Sequence, residues 1–374
     1  MMIRRTTRKH GLLLALACLA AGSLRAVDVK SLTKEIFAVP STPGNEDLLA
    51  GKIRGLLPRG LAVEEDGLGT VAVRFRGPGA PTLLLAALDG YGHMVSGITP
   101  DGYLTLDRPV APPHARFDAY LLGQPVIIST GRGPVQGIVS QPAMHLLTQE
   151  RRKTLVENFS LETAFVDIGV RSEKEARDKG VEILDAVTFS AVLTELAGDK
   201  WSGPSLGQKA VAAVLVSVAE SLADQAAGGE TVIAWAAQTK FAARGRGARP
   251  AMGAARAKAK WQPGRTVVVD VIAAGKDGNT PAPGKGPVFI LAKDEPSALR
   301  QAFEQTAAGA GIPCQFLTAA DSPLAIPFVG PQSEVLTLAL PVLFLHTPSE
   351  VIDLKDLQAL RDLLERFLRT GGGQ

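Results

Sequence analysis

Leu343-Phe344-Leu345-His346-Thr347-Pro348-Ser349-Glu350-Val351-Ile352-Asp353-Leu354-Lys355-Asp356 reads as the end of a strand, a turn and the start of a helix. Residues 343–345 are apolar, Pro348 breaks the extended run, and Asp353 stands where an N-cap is wanted, ahead of the amphipathic stretch 354–368. This pattern sets one imidazole, His346, at the carboxyl end of a strand, the place where α/β sheets hold their ligands. The rest of the chain must then supply the neighbouring strands and any partners for His346.

Outward from that stretch, residues 82–87 and 231–236 are unbroken apolar runs, expected as strands buried on both faces. Residues 265–271 and 288–291 add two more strands, joined by a loop rich in Gly and Pro, and 61–63 with 70–75 form a strand pair about Asp66-Gly67-Leu68-Gly69. Helices are expected over 32–39, stopping at Pro40, over 48–57, over the strongly apolar 206–222, and over 297–308 with Ser297 as its cap. The Ala-rich segment 242–260 is expected to be helical in part, because Gly245, Gly247, Pro250 and Gly253 interrupt it. Residues 89–200 differ in character, with many Gly and Pro and short β-like runs at 125–130 and 135–139. The expected fold class is α/β, a mixed sheet flanked by helices over 27–88 and 201–374, with a small β-domain inserted at 89–200. No internal repeat is present.

The chain has 374 residues, 46% of them hydrophobic, enough for a large core. Its formal charge of +3 makes no global case for nucleic acid. Arg4, Arg5, Arg8 and Lys9 precede an apolar run at 11–22, and Leu24-Arg25-Ala26 offers a cleavage site, so residues 1–26 read as a secretory signal. The product is then expected in the periplasm or outside the cell. The Arg4-Arg5 pair leaves a twin-arginine route open. Cys18 reads as part of the apolar run, and no later segment is expected to span a membrane. Cys314 is left as a single thiol, which makes neither an intrachain disulfide nor a cysteine-based zinc site and is expected to pack in the core.

The 343–356 stretch closely resembles the end of the tetrahedral, deblocking (glutamyl) metallo-aminopeptidases, a family often labelled endoglucanases, whose pattern there reads M-H-S-P-x-E-V-V-D-L-K-D. Ser41-Thr42-Pro43-Gly44-Asn45-Glu46-Asp47, Asp66-Gly67-Leu68-Gly69, Leu121-Leu122-Gly123-Gln124 and Phe165-Val166-Asp167-Ile168-Gly169 match the same family in the same order. The resemblance covers nearly all of the chain after residue 26. It implies cleavage of peptide N-termini by two divalent metals such as zinc or cobalt, held by a bridging carboxylate, with a glutamate as general base. It also implies an inserted domain that makes dimer contacts, hence a homo-oligomer.

Carried onto this sequence, the resemblance places the first ligand histidine at Ala87, the bridging aspartate at Gly207, the general base at Thr239 and a carboxylate ligand at Lys240. It keeps two ligand positions, Asp270 and His346, and two supporting ones, Asp89 and Asp321. No catalytic residue is left, and no metal cofactor is expected. Catalytic zinc normally takes three protein ligands. Two divalent ions ~3.5 Å apart repel by roughly 19 kcal/mol at an effective dielectric near 20, and an ammonium ~4 Å from one ion adds roughly 8 kcal/mol. Lys240 either fills the vacated space and pairs with Asp270 or Asp89, or turns out to solvent.

The other candidates are weaker. His346 without ligand partners is expected as a hydrogen-bonded turn histidine, His93 as a surface histidine at a strand end, and His114 and His145 as inserted-domain residues that need no metal. Ser205 and Ser349 show no base and elbow arrangement for a serine hydrolase. Residues 231–269 contain no Asp or Glu, yet carry Lys240, Arg244, Arg246, Arg249, Arg256, Lys258, Lys260 and Arg265. That run reads as a solvated helix face, or as a basic patch for an anionic partner. Three functions follow: an exported, non-catalytic family member that binds peptides or assembles; a working aminopeptidase with a rebuilt or mononuclear site; and an anion-binding scaffold using Arg244, Arg246 and Arg249.

Overall fold

Residues 28–157, 160–224, 227–241, 251–292, 297–331 and 333–371 are described by the computed structural model, without the side chains of 154–157 and 224. Residues 1–27, which include the expected signal and Cys18, the basic residues Arg244, Arg246 and Arg249, and residues 372–374 lie outside this description.

The two unbroken apolar runs, Thr82–Ala87 and Thr231–Ala236, are adjacent parallel strands buried along their whole length. Arg265–Ala274 runs parallel to the first of these only through Arg265–Val268, and parallel to Glu334–Leu343 along all ten of its residues. It therefore parts from Thr82–Ala87 two residues before Asp270, and that parting opens a crevice at the carboxyl end of the sheet. Antiparallel strands extend the four-stranded centre. Val71–Phe75 and Val63–Glu65 lie on one side, and Glu350–Asp353, Lys200–Gly203 and Thr194–Leu196 on the other. Val288–Leu291 pairs with Glu334–Leu343 and carries Gln315–Thr318, completing eleven strands.

Strand alternation sends neighbouring residues into different cores. Leu84, Ala86, Ile233 and Trp235 meet the helices Val29–Phe37, Asp47–Leu56, Leu206–Asp224, Ala298–Ala310 and Leu354–Arg369. Leu83, Leu85, Ala87, Val232 and Ala234 meet Met252–Trp261 on the opposite face. Leu206–Asp224 is apolar all round because it is buried nearly all round. Its length and apolarity would suit a bilayer, contrary to the expectation for segments past residue 26, but most of it packs between the sheet and the other helices. Ser297, Ser172 and Asp353 cap their helices, each side chain accepting a backbone N–H in the first turn.

Six further strands, His93–Ile98, Leu104–Asp107, Pro125–Thr130, Gly133–Ser140, Phe165–Asp167 and Ala186–Phe189, close into a barrel with its own core of Val95, Leu104, Val126, Ile128, Val139, Val166 and Val187. All six fall within 89–200. Thr194–Leu196, from the end of that span, instead pairs with Lys200–Gly203 in the large sheet.

Candidate functional site

The loop after Thr82–Ala87 is fixed before it reaches the crevice. Leu88 donates its N–H to the Ala236 carbonyl at 2.8 Å, the Ser41 hydroxyl donates to the Leu88 carbonyl at 2.7 Å, and Gly90 donates its N–H to the Ser41 carbonyl at 3.2 Å. This delivers Asp89, fully buried, beneath the loop that follows Thr231–Ala236. Its Oδ1 accepts the Thr239 N–H at 2.9 Å and the Thr239 hydroxyl at 2.6 Å, and its Oδ2 accepts the Lys240 N–H at 2.7 Å. Three donors on one carboxylate are what a buried charge requires.

Two other carboxylates hold strained backbone nearby. Gln238 has φ +53° and donates its N–H to Glu46 Oε1 at 2.7 Å. His346 has φ +63° and donates its N–H to Glu350 Oε1 at 2.9 Å, while Glu350 Oε2 accepts the Gly207 N–H at 2.9 Å. Such left-handed positions cost about 1–3 kcal/mol each, so they persist only where the surroundings over-determine them. Burial pushes the carboxyls of Glu46 and Glu350 up to about 7, in spite of those N–H donors. Nothing in the sequence singled out Glu350. Its role comes from a backbone partner far away in the chain and from the unusual turn at His346.

Asp270, His346, Glu350, Thr239 and Lys240 line one cleft of about 500 Å³, together with Tyr91, Phe117, Phe189, Leu324 and Leu345. The His346 ring stands edge-on to Tyr91, centroids 5.0 Å apart, and its carbonyl accepts from His114 Nε2 at 3.4 Å. Burial holds the His346 imidazole down to about 4, with the charges of Lys240 and His114 adding to the effect and Asp270 opposing it. It is therefore neutral at pH 7. Asp270 Oδ2 accepts the Ser322 hydroxyl at 2.6 Å, and Oδ1 accepts the Val271 N–H at 2.9 Å. The Lys240 ammonium sits 5.5 Å from the centre of the Tyr91 ring. Among the described residues it forms no ion pair, so the expected pairing with Asp270 or Asp89 is not made: Asp89 is engaged by the backbone of 239 and 240 instead.

The model of the M42 glutamyl aminopeptidase family matches residues 69–363. The chain belongs to that family. The lysyl aminopeptidase of Pyrococcus furiosus is 26% identical over 356 residues, covering 90% of this chain and 96% of its own. The putative aminopeptidase FrvX of Escherichia coli is 26% identical over 318 residues, covering 82% and 85%. Among solved structures, the TET1 peptidase of Pyrococcus horikoshii superposes with a TM-score of 0.78 at 23% identity, covering 91% of this chain and 99% of its own. A Thermotoga maritima protein labelled endoglucanase gives 0.68 at 22% identity, covering 91% and 97%. These likenesses agree with the fold: a mixed sheet between helices and a separate small barrel.

Within this M42 chain, Ala87 ends its strand with its methyl in the core beneath Met252–Trp261. Gly207 lies against the sheet, where a Cβ would come 2.6 Å from Val342 Cγ2 and 3.1 Å from Val271 Cγ1. Among the described residues, no three or more His, Cys, Asp or Glu are grouped to hold a metal ion.

Several side chains fall elsewhere than expected. His93 is not at the surface: it is 1% exposed, 2.8 Å from Asp118 through Nε2, and stacked on Phe117. His114 reaches the cleft rim rather than staying within the barrel, whereas His145 is exposed. Asp321 lines a separate pocket with Ser297 and Arg300, and its neighbour Ser322 is the residue that reaches Asp270. Ser205 follows a strand and precedes a helix at φ +53°, but among the described residues no hydrogen bond ties its hydroxyl to a basic side chain. In the basic run, Lys260 pairs with Glu64 at 3.0 Å and Lys258 donates to the Pro327 carbonyl. Cys314 packs half-buried against the core, and burial pushes its thiol up to about 11.

Proposed function

We propose that this chain is an exported, non-catalytic M42 protein that holds a peptide in its cleft and assembles with copies of itself. The observation that carries the reading is the packing at Gly207. The family resemblance puts the bridging carboxylate there, and the first atom of any side chain would already stand 2.6 Å from a buried valine methyl. The resemblance puts the general base at Thr239, whose hydroxyl is spent on Asp89. It puts another metal-binding carboxylate at Lys240, which brings a positive charge into the same cleft. Asp270, His346 and Glu350 remain. One is held by Ser322, one is a neutral imidazole, and one is buried against two backbone N–H groups. That set neither offsets the mutual repulsion of two divalent ions nor offers a free carboxylate to deprotonate a water. No metal is expected, and no hydrolytic step is assigned.

What remains suits binding. A concave site of about 500 Å³ with aromatic and aliphatic walls and a few converging polar groups matches a short peptide segment. Self-assembly is supported by the P. horikoshii TET1 peptidase, which forms a tetrahedron or a large octahedral shell. Export rests on the composition of residues 1–26. The test is to pass a mixture of synthetic peptides over the purified protein and read retained and unretained fractions by mass spectrometry. Retention of a subset with every N-terminus intact is the expected result. Progressive loss of N-terminal residues would overturn the non-catalytic part, and no retention the peptide-binding part.

A further inference from the structure

The charged groups of the cleft are unequally satisfied. Asp270 accepts from Ser322 and from the Val271 N–H. Glu350 takes one backbone N–H on each oxygen. Asp89, beneath the cleft, takes three donors. Lys240 is different. Its backbone N–H is used, and among the described residues its ammonium makes no hydrogen bond or ion pair: it stands 5.5 Å from the centre of the Tyr91 ring, and its charge acts at longer range on Glu350 and His346. A cation–π contact satisfies the charge in part, and Lys240 lines the cleft, so its N–H donors can take an acceptor that enters there. The neighbouring His346 ring lies against the same Tyr91 and can supply or accept a hydrogen bond.

We infer that Lys240 is the ligand-orienting group of this cleft and that it takes a carboxylate of the bound peptide, either the C-terminal one or that of an acidic side chain. The inference rests on the peptide-binding reading and sharpens it. A free N-terminal ammonium in this position would meet Lys240 as a like charge, and where the carboxylate is the C-terminal one the peptide lies with the opposite polarity to that of an N-terminal peptidase substrate. The two anionic walls do not cancel this preference. Glu350 is buried with a backbone N–H on each oxygen, and the Asp270 oxygens already hold a hydroxyl and an N–H.

Calorimetric titration of the purified protein with four short peptides at neutral pH tests this directly. They are N-acetyl-tetra-alanine acid, N-acetyl-tetra-alanine amide, unblocked tetra-alanine amide, and a blocked amide with one internal glutamate. A charge-assisted contact to a carboxylate corresponds to about ten- to hundredfold in affinity, so the blocked acid or the glutamate peptide should exceed the blocked amide by that factor. Which of the two does so identifies the source of the carboxylate. Lys240→Met should abolish the difference, and Lys240→Arg, which keeps the charge, should retain most of it. A thermal melt of each variant shows that it folds. Equal affinity for acid, glutamate peptide and amide, or tightest binding by the unblocked amide, would overturn the carboxylate assignment and leave peptide binding standing. No heat from any of the four would overturn both.

Discussion

Asp89 and Thr239 are joined twice, by the Thr239 hydroxyl at 2.6 Å and by its N–H at 2.9 Å, both to Asp89 Oδ1, from loops that follow adjacent parallel strands. With the Lys240 N–H on Oδ2, this carboxylate shapes the floor of the cleft. The family resemblance has Asp89 orient a ligand histidine, whose position it places at Ala87; the structure shows the aspartate supporting the 239–240 loop.

Thr239→Val keeps the shape and removes one hydrogen bond to a buried charge. It should lower unfolding free energy by about 1.5–3 kcal/mol. Asp89→Ala orphans three donors at once and should cost more, about 3–5 kcal/mol. Denaturant titration of both variants checks the order. An Asp89→Ala variant as stable as the parent would show that the 239–240 loop is held by something else.

Glu350 gives the fold a pH signature. Its folded pKa, about 7, lies above the ordinary 4.5, so its contribution to stability is complete below about 4.5 and is lost as pH rises through about 7. The size is of order 3 kcal/mol for a fully buried carboxyl. His346 acts in the opposite sense: its pKa falls from 6.5 to about 4, so its contribution is present above about 6.5 and is lost as pH falls through about 4. In Glu350→Gln the first of these trends disappears, and the new amide N–H₂ must face one of the two backbone N–H groups. We expect that variant to be less stable throughout, by the 1–3 kcal/mol typical of a buried unsatisfied donor, with the gap to the parent widest near pH 5 and narrowest near pH 8. A gap that does not change with pH would place the Glu350 carboxyl in an ordinary environment.

Gly207→Asp restores the residue type that the resemblance places at the bridge. Since its Cβ would stand 2.6 Å from Val342 Cγ2, we expect loss of stability by several kcal/mol rather than recovery of metal binding. Gly207→Ala should already cost about 1–3 kcal/mol. Melting temperatures and zinc titration of the two variants decide it. A stable Gly207→Asp protein with new zinc affinity would mean that Val342 yields.

Much of the fold was legible because single residue types carried the signal. The runs 82–87 and 231–236, short and unbroken in their apolarity, read as buried strands, and both are buried strands in the structure. Ser297 and Asp353 announced helix starts that the hydrogen bonds bear out. Thr194–Leu196 was not legible: all three residues are exposed, so no apolar alternation marked them as part of the large sheet. His93 looked like a surface residue because its partners, Asp118 and Phe117, are reached only through the closure of the barrel. Lys209 carried no warning either. It lies in a helix that the sequence shows plainly, yet burial drives its ammonium down to about 7, and among the described residues the amine has no hydrogen-bond partner. At the cleft, Asp270 and His346, the ligand positions that the resemblance keeps, could be read in order along the chain and both line the cleft, whereas Glu350 became visible only when Gly207 and His346 were seen to share it.

Metal content under saturating conditions tests the central claim most directly. Untagged protein lacking residues 1–26 is equilibrated with excess zinc or cobalt, freed of unbound ions, and assayed for ions per chain and for release of aminoacyl anilides. We expect well under one ion per chain and no release above the buffer rate. Two ions per chain, with anilide release abolished by a chelator and restored by adding metal back, would contradict the claim.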